Sequence, residues 1–199
     1  MPRTGLSSQE VQEKAIRIAV ENIRRHGIEK FRLSDIARRL KVSHTALYNH
    51  FPDKAALLDL ISERWLNRID ASLDEVARRD LPPRKLIVAW FLEYHRLKLG
   101  KVLTDPEIFK TLNLAEEANK PFIFEHLRTM HGQLLFLLEK AVAAGELQVA
   151  SPETAARILE EATLPFLHPR FVWEHKEEQR EALLEQVVAA ILAGLSDVA

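Results

Sequence analysis

An all-α fold of about nine helices in two domains is predicted by three features of the sequence. Apolar residues recur at spacings of three and four along most of the 199 residues, the period of a helix with one buried face. No stretch shows the alternation that marks a strand. Helix starts are signposted by capping residues and prolines: Ser7, Ser43, Asp53, Asp105 before Pro106, and Ser151 before Pro152.

Each element follows from these signals in order. Residues 1–6 read as a loose basic arm. Ser7 and Glu10 have capping-box spacing and open a first helix with Val11, Ala15, Ile18, Ala19, Val20 and Ile23 on its apolar face. Gly27 ends it after the basic turn Arg24, Arg25, His26, and Phe31 is placed to plug the space before the next helices. Leu33, Ile36, Ala37 and Leu40 share a face of a second helix, and Ser43 caps a short third. Asp53 caps a long fourth helix over 54–79, whose stripe Leu57, Leu58, Ile61, Trp65, Ile69, Leu73, Val76 is longer than a small domain covers. That helix is predicted to connect a domain of residues 1–54 to one of 55–199. Pro82 and Pro83 mark the break. Further helices are predicted over 84–99, closed by Gly100, from Pro106 to about 118, from Pro121 to near Gly145, over 152–167, and over 176–195. Pro165 and Pro169 are expected to kink or end the penultimate one.

Composition narrows the function. Apolar residues make up 47% and charged residues 29%, values of an ordinary globular protein. The absence of cysteine rules out disulfides and thiolate metal sites and fits a cytoplasmic location. No apolar run has the length to span a bilayer, and the N-terminus lacks a signal-peptide core. The net charge of −1 hides an asymmetry. Residues 1–54 carry 11 Lys and Arg against 6 Asp and Glu, a surplus of +5, while the remainder carries 17 against 23, a deficit of −6. A basic surplus concentrated at one end suggests the electrostatic footprint of a polyanion-binding domain, with ordinary solvated charge clusters as the alternative reading.

That end also carries the most informative stretch, Leu33 to Lys54. Two short helices joined by a tight turn make a helix-turn-helix. Ala46 and Leu47 face inward on the second helix, whereas His44, Thr45, Tyr48, Asn49 and His50 crowd its outer face. Core packing does not call for such a face; a helix lying in the DNA major groove does. Asn49 suits bidentate pairing with adenine, Thr45 offers a methyl to thymine, and His44 completes the base-reading candidates.

At Ile36, Ala37, Val42, Ser43, Ala46, Leu47, Tyr48, His50, Phe51 and Lys54 the order, spacing and residue types resemble the TetR family of bacterial transcriptional regulators. The resemblance covers roughly the first quarter of the chain. It implies that Tyr48, His50 and Lys54 clamp phosphates, a role their hydrogen-bond donors suit. Two positions depart from the family pattern. Lys41 stands where the turn usually has glycine, and Arg32 where a Ser or Thr usually caps the first helix of the pair. Arg32 thereby becomes a phosphate-contact candidate, and Ser43 and Ser34 complete the DNA-binding set.

For the second domain the resemblance implies a pocket for a small apolar or amphipathic effector. Its candidate lining is Trp90, Tyr94, His95, Phe109, Phe122, Phe166 and His168, aromatics with a few polar anchors; a plain helical core accounts for any one of them equally well. The last two helices carry broad apolar stripes, with Ile158, Leu159, Ala162, Leu184, Val187, Val188 and Ile191 as candidates for a homodimer interface. The histidines outside the first domain lack ligand spacing, there is no phosphate loop, nucleophile elbow or cysteine nucleophile, and neither cofactor nor metal is expected. The expectation is a non-enzymatic, DNA-binding homodimer, a repressor released from a palindromic operator by an effector. A helical hydrolase or structural bundle is the competing reading; neither needs the segment from Ser43 to Lys54.

Overall fold

The computed structural model describes residues 7–196; the basic arm expected over residues 1–6 lies outside them. Among the described residues there are ten helical segments and no strand: α1 Ser8–His26, α2 Leu33–Leu40, α3 His44–Tyr48, α4 Lys54–Ala77, α5 Pro83–Thr104, α6 Pro106–Glu117, α7 Pro121–Ala143, α8 Pro152–Leu167, α9 Pro169–Glu174 and α10 Glu181–Ser196. The all-α class and the order of helices are as the sequence predicts. The short α9 was not foreseen. It forms because His168 ends α8 in extended conformation and caps the next turn, its Nδ1 accepting from the Arg170 amide at 3.2 Å with Pro169 at the first helical position. Pro165 lies inside α8, which runs two residues past it to Leu167 before His168 turns extended ahead of Pro169. Nor does Gly100 end α5: the helix runs on to Thr104, with Val102 buried beyond the glycine.

The chain divides into two compact units. The first holds residues up to Trp65 together with Asp105–Lys120. Its core joins Ala15, Ile18, Ile23, Phe31, Ile36, Leu47, Phe51 and Leu57 to Ile108 of α6. Thus α6, distant in sequence, packs with α1 in this unit. Arg24 near the end of α1 makes a bidentate pair with Asp105, at 3.1 and 2.6 Å. Asp105 is 3% exposed. The guanidinium fork therefore takes the carboxylate that was expected to cap α6, and Asp105 makes no cap hydrogen bond. Glu107 accepts from the Ile28 amide, Ser62 and Thr111 share a buried hydroxyl contact of 2.8 Å, and Trp65 meets Phe109 edge-on.

The second unit holds Leu66–Thr104 and Pro121–Ala199. Here α5 is the central helix, touching α7, α8, α9 and α10. The carboxyl end of α8 has carbonyls with no intrahelical partner, and side chains satisfy three of them. Arg180 donates to Pro165 O, His95 Nδ1 to Phe166 O at 2.8 Å, and Lys98 Nζ to Leu167 O at 2.6 Å. Donors and cations suit the negative end of a helix, which accounts for two polar residues of α5, His95 and Lys98, being only 3% exposed.

Among the described residues, three helices end in the same hydrogen-bond motif. After α7, Gly145 has φ 71°, with its amide bonded to Val142 O and that of Glu146 to Ala141 O. After α6, Asn119 has φ 51°, with amides of Asn119 and Lys120 bonded to Glu116 O and Ala115 O. After α2, the amides of Lys41 and Val42 bond to Arg38 O and Ala37 O, and Lys41 takes the left-handed position at φ 56°, ψ 35°. Glycine and asparagine adopt this conformation readily; lysine does so at a cost of roughly 1 kcal/mol. The turn without glycine is thus built in the usual geometry, with strain at its centre.

Two measurements check this packing. Arg24→Ala leaves the buried Asp105 carboxylate without its fork and should destabilise the chain by about 1–3 kcal/mol in denaturant unfolding; Arg24→Lys should recover part of that. His131 of α7 sits between Glu160, 2.9 Å from Nδ1, and Glu153, 3.2 Å from Nε2. Burial disfavours its charge, but the two carboxylates more than offset this and raise its pKa above the usual histidine value. A histidine with a raised folded-state pKa contributes stability that is fully present below its unfolded pKa of about 6.5 and is lost as pH rises through the folded value. The stability difference between wild type and His131→Gln should therefore be larger at mildly acidic pH than at alkaline pH.

Candidate nucleic-acid interface

Unit one presents α3 as a stub of five residues, His44–Tyr48, capped by Ser43 Oγ accepting from the Ala46 amide at 3.1 Å. Leu47 and Phe51, at 0% and 1% exposure, are its inward anchors. All other candidates on this segment are exposed or half-buried. His44 stacks on Tyr48 with ring centroids 5.2 Å apart, and Tyr48 keeps 42% of its surface exposed. Thr45 and Asn49 are exposed, and Asn49 ends the helix. Half-buried His50 has Nδ1 at 3.4 Å from Ser8 Oγ. Arg32 and Ser34 are exposed at the start of α2, where Arg32 supplies no side-chain cap. The outward set His44, Thr45, Tyr48 and Asn49 is therefore gathered on one small surface with hydrogen-bonding atoms turned to solvent.

Lys54 has a second occupation. Its ammonium donates to Ile28 O at 2.6 Å and lies 5.8 Å from the centre of the Phe31 ring. One of its three donors thus ties the start of α4 to the turn after α1. Several other cations of this unit are neutralised within it: Arg24 by Asp105, Arg38 by Asp35, Arg39 by Glu21 and Arg64 by Glu13. Of these pairs, only Arg24–Asp105 takes a cation of residues 1–54 to a carboxylate outside them; the others leave the surplus read from the sequence undiminished.

The effector candidates separate. Phe109 packs in unit one against Trp65. The other six belong to unit two. Trp90 donates from Nε1 to Gln133 Oε1 at 3.0 Å, and Gln133 Nε2 donates to the backbone oxygen of Asp70 at 2.9 Å. Tyr94 OH lies 3.1 Å from His126 Nε2, and His126 Nδ1 lies 2.5 Å from Asp70 Oδ1. Two chains of hydrogen bonds, from α5 through α7, thus converge on one residue of α4. The sequence reading missed Asp70, His126 and Gln133 as a set, since nothing in helical spacing pairs residues on three helices. His95 caps α8, and its Nε2 is buried without a partner. Phe166 is buried under Arg180, whose guanidinium lies 4.4 Å from the ring centre. Phe122 is half-buried, and His168 leans on Phe171 while capping α9. An open groove of about 680 Å³ runs along α5 past Val88, Ala89 and Leu92, rimmed by Arg84, Glu146 and Glu185. By helical spacing Trp90 and Tyr94 point from the opposite face of α5.

The dimer candidates also divide. Leu159, Leu184 and Val188 are at 0% exposure in the protomer's own core, where a partner cannot reach them. Ile158, Ala162, Val187 and Ile191 retain exposure, joined by Leu164 and Leu183. Among the described residues no cluster of three or more His, Asp or Glu has metal-site geometry, and no helix is long and apolar enough to cross a membrane.

Comparison with known proteins agrees with this architecture. Residues 16–61 match the family described as "Bacterial regulatory proteins, tetR family", and residues 82–188 match "Tetracyclin repressor-like, C-terminal domain". No curated protein matches the chain. Solved structures share the fold along nearly the whole length. A TetR/AcrR-family transcriptional regulator from Thermobifida fusca superposes with a TM-score of 0.66 at 22% identity, over 92% of this chain and 97% of the other. The transcriptional regulator FadR from Bacillus subtilis, solved with stearoyl-CoA, gives 0.61 at 16% identity over 92% and 98%. RolR, solved with resorcinol, gives 0.60 at 16% over 94% and 88%. The second match alone spans more than half of the sequence, and with the helix-turn-helix ahead of it the chain belongs to the TetR family of bacterial transcriptional regulators.

Proposed function

We propose that this chain is a homodimeric repressor that holds a palindromic operator through α3 and releases it when a small apolar or amphipathic effector binds the second unit. The observation that carries the reading is the solvent-facing set His44, Thr45, Tyr48 and Asn49 on a helix whose inward side is fully used by Leu47 and Phe51. Thr45 and Asn49 read bases; Arg32, Ser34, Ser43, Tyr48, His50 and Lys54 grip phosphates. The second copy docks on α8 and α10. Exposed Ile158 and Ala162 share one face of α8, and exposed Leu183 with half-buried Val187 and Ile191 share one face of α10; together they form a self-complementary surface that a two-fold axis covers.

Release works through α4, one uninterrupted helix whose first residues belong to the DNA-reading unit and whose later residues belong to the effector unit. An effector that wedges beside Trp90 and Tyr94 disturbs the two hydrogen-bond chains that meet at Asp70 and shifts the later turns of α4. The recognition helices of a dimer then leave the ~34 Å spacing that successive major grooves require. Resorcinol and stearoyl-CoA in the structures of RolR and FadR set a wide range for effector size. Here His95 Nδ1 donates to the Phe166 carbonyl and its Nε2 is buried without a partner, which favours an effector bearing a hydrogen-bonding group to meet it.

Binding titrations on DNA selected from a random pool test this. Thr45→Ala and Asn49→Ala should change which sequence is preferred, by about 1–3 kcal/mol per lost base contact, while Tyr48→Phe should weaken all sequences alike. Equal preference before and after both alanine changes would remove α3 as the reading element. For assembly, Leu183→Glu should give a folded monomer in sedimentation with lost operator binding, because the residue is 50% exposed and its replacement leaves the core intact.

A further inference from the structure

We infer that Lys41, at the turn of the helix-turn-helix, is a phosphate-gripping residue of this protein, kept in a strained backbone position for its charge. The inference rests on the DNA-binding reading above and adds to it a contact that neither the motif nor the outward face of α3 indicates. The same helix-ending motif occurs three times among the described residues. It is built with Gly145 after α7 and Asn119 after α6, residues that take the left-handed conformation easily, and with Lys41 only after α2. A lysine there is the least favourable of the three choices for the backbone, so backbone preference does not account for its presence.

The side chain is exposed, and among the described residues it makes no hydrogen bond or ion pair. Its neighbours differ. Arg38 is held by Asp35 at 2.7 Å and Arg39 by Glu21 at 2.5 Å. Lys41 is thus an unneutralised cation between two arginines and the start of α3, and its Cα lies within ~7 Å of that of Ser43, the cap residue of the reading helix. A flexible ammonium there can reach the backbone beside the groove that α3 enters, a point charge suited to a phosphate. A favourable interaction with the carboxyl end of α2 is the alternative role for the charge, and it makes the opposite demand on DNA binding, namely none.

The test compares wild type, Lys41→Gly, Lys41→Met and Lys41→Arg by thermal unfolding and by fluorescence anisotropy on a labelled duplex recovered by selection from random DNA, across a potassium chloride series. Lys41→Gly should raise the unfolding midpoint by roughly 2–4 °C, since it relieves the strain. It should nevertheless weaken binding severalfold and make the slope of log affinity against log salt shallower by about 0.9 for each subunit bound. Lys41→Met should lose the same affinity and slope with no gain in midpoint, and Lys41→Arg should keep both. A Lys41→Gly protein with wild-type affinity and slope overturns the inference and assigns the charge to α2. A wild type that shows no salt-dependent binding to any duplex instead overturns the DNA-binding reading itself.

Discussion

A five-residue helix does not hold its shape alone, because too few backbone hydrogen bonds follow the costly first turn. The outward surface of α3 therefore depends on the burial of Leu47 and Phe51 in the core of the first unit. These two side chains place α3, and the Ser43 cap satisfies an amide that the helix cannot. With its position fixed from inside, the outward residues of α3 are released from core packing. That is why His44, Thr45, Tyr48 and Asn49 can all carry polar groups outward. The unit supporting them is larger than the first three helices. Ile108 fills the same core, and the Arg24–Asp105 pair locks the start of α6 to the end of α1.

The second unit follows a different logic. Its polar interior serves helix ends and a node on α4. His95 and Lys98 on the central α5 satisfy the carboxyl end of α8, while Trp90 and Tyr94 on the same helix reach Asp70 through Gln133 and His126. One helix thus sets both the end of α8 and the later turns of α4. Any molecule that repacks α5 must alter polar contacts that cannot be left unmade cheaply in a buried setting. Such contacts tend to have two arrangements instead of a continuum, which is the property a switch needs.

Much of this was legible in the sequence. Helical periodicity and caps located α1 to α4 nearly to the residue, since Ser7, Ser43 and Asp53 cap as their spacing implies. The basic surplus and the polar face of α3 marked the same end of the chain. Local rules failed where tertiary partners intervened. Asp105 has the sequence context of a cap but is taken by Arg24, a residue 81 positions away. Gly100 has the context of a stop, yet packing beyond it carries α5 onward. Lys41 has no obvious left-handed propensity, but the motif closing α2 imposes it. The stripe of α10 contains both core and surface positions, and only the packing of α8 and α5 against it separates Leu184 and Val188 from Leu183 and Val187. The Asp70 node required three helices to be placed first.

If two copies of α3 read DNA as a symmetric pair, as we propose, selection of bound duplexes from a random pool should enrich an inverted repeat whose half-site centres lie one helical turn apart, about 10 base pairs, or a whole multiple of that. Recovery of no enriched sequence, or of a single half-site without a symmetric partner, would rule the symmetric pair out.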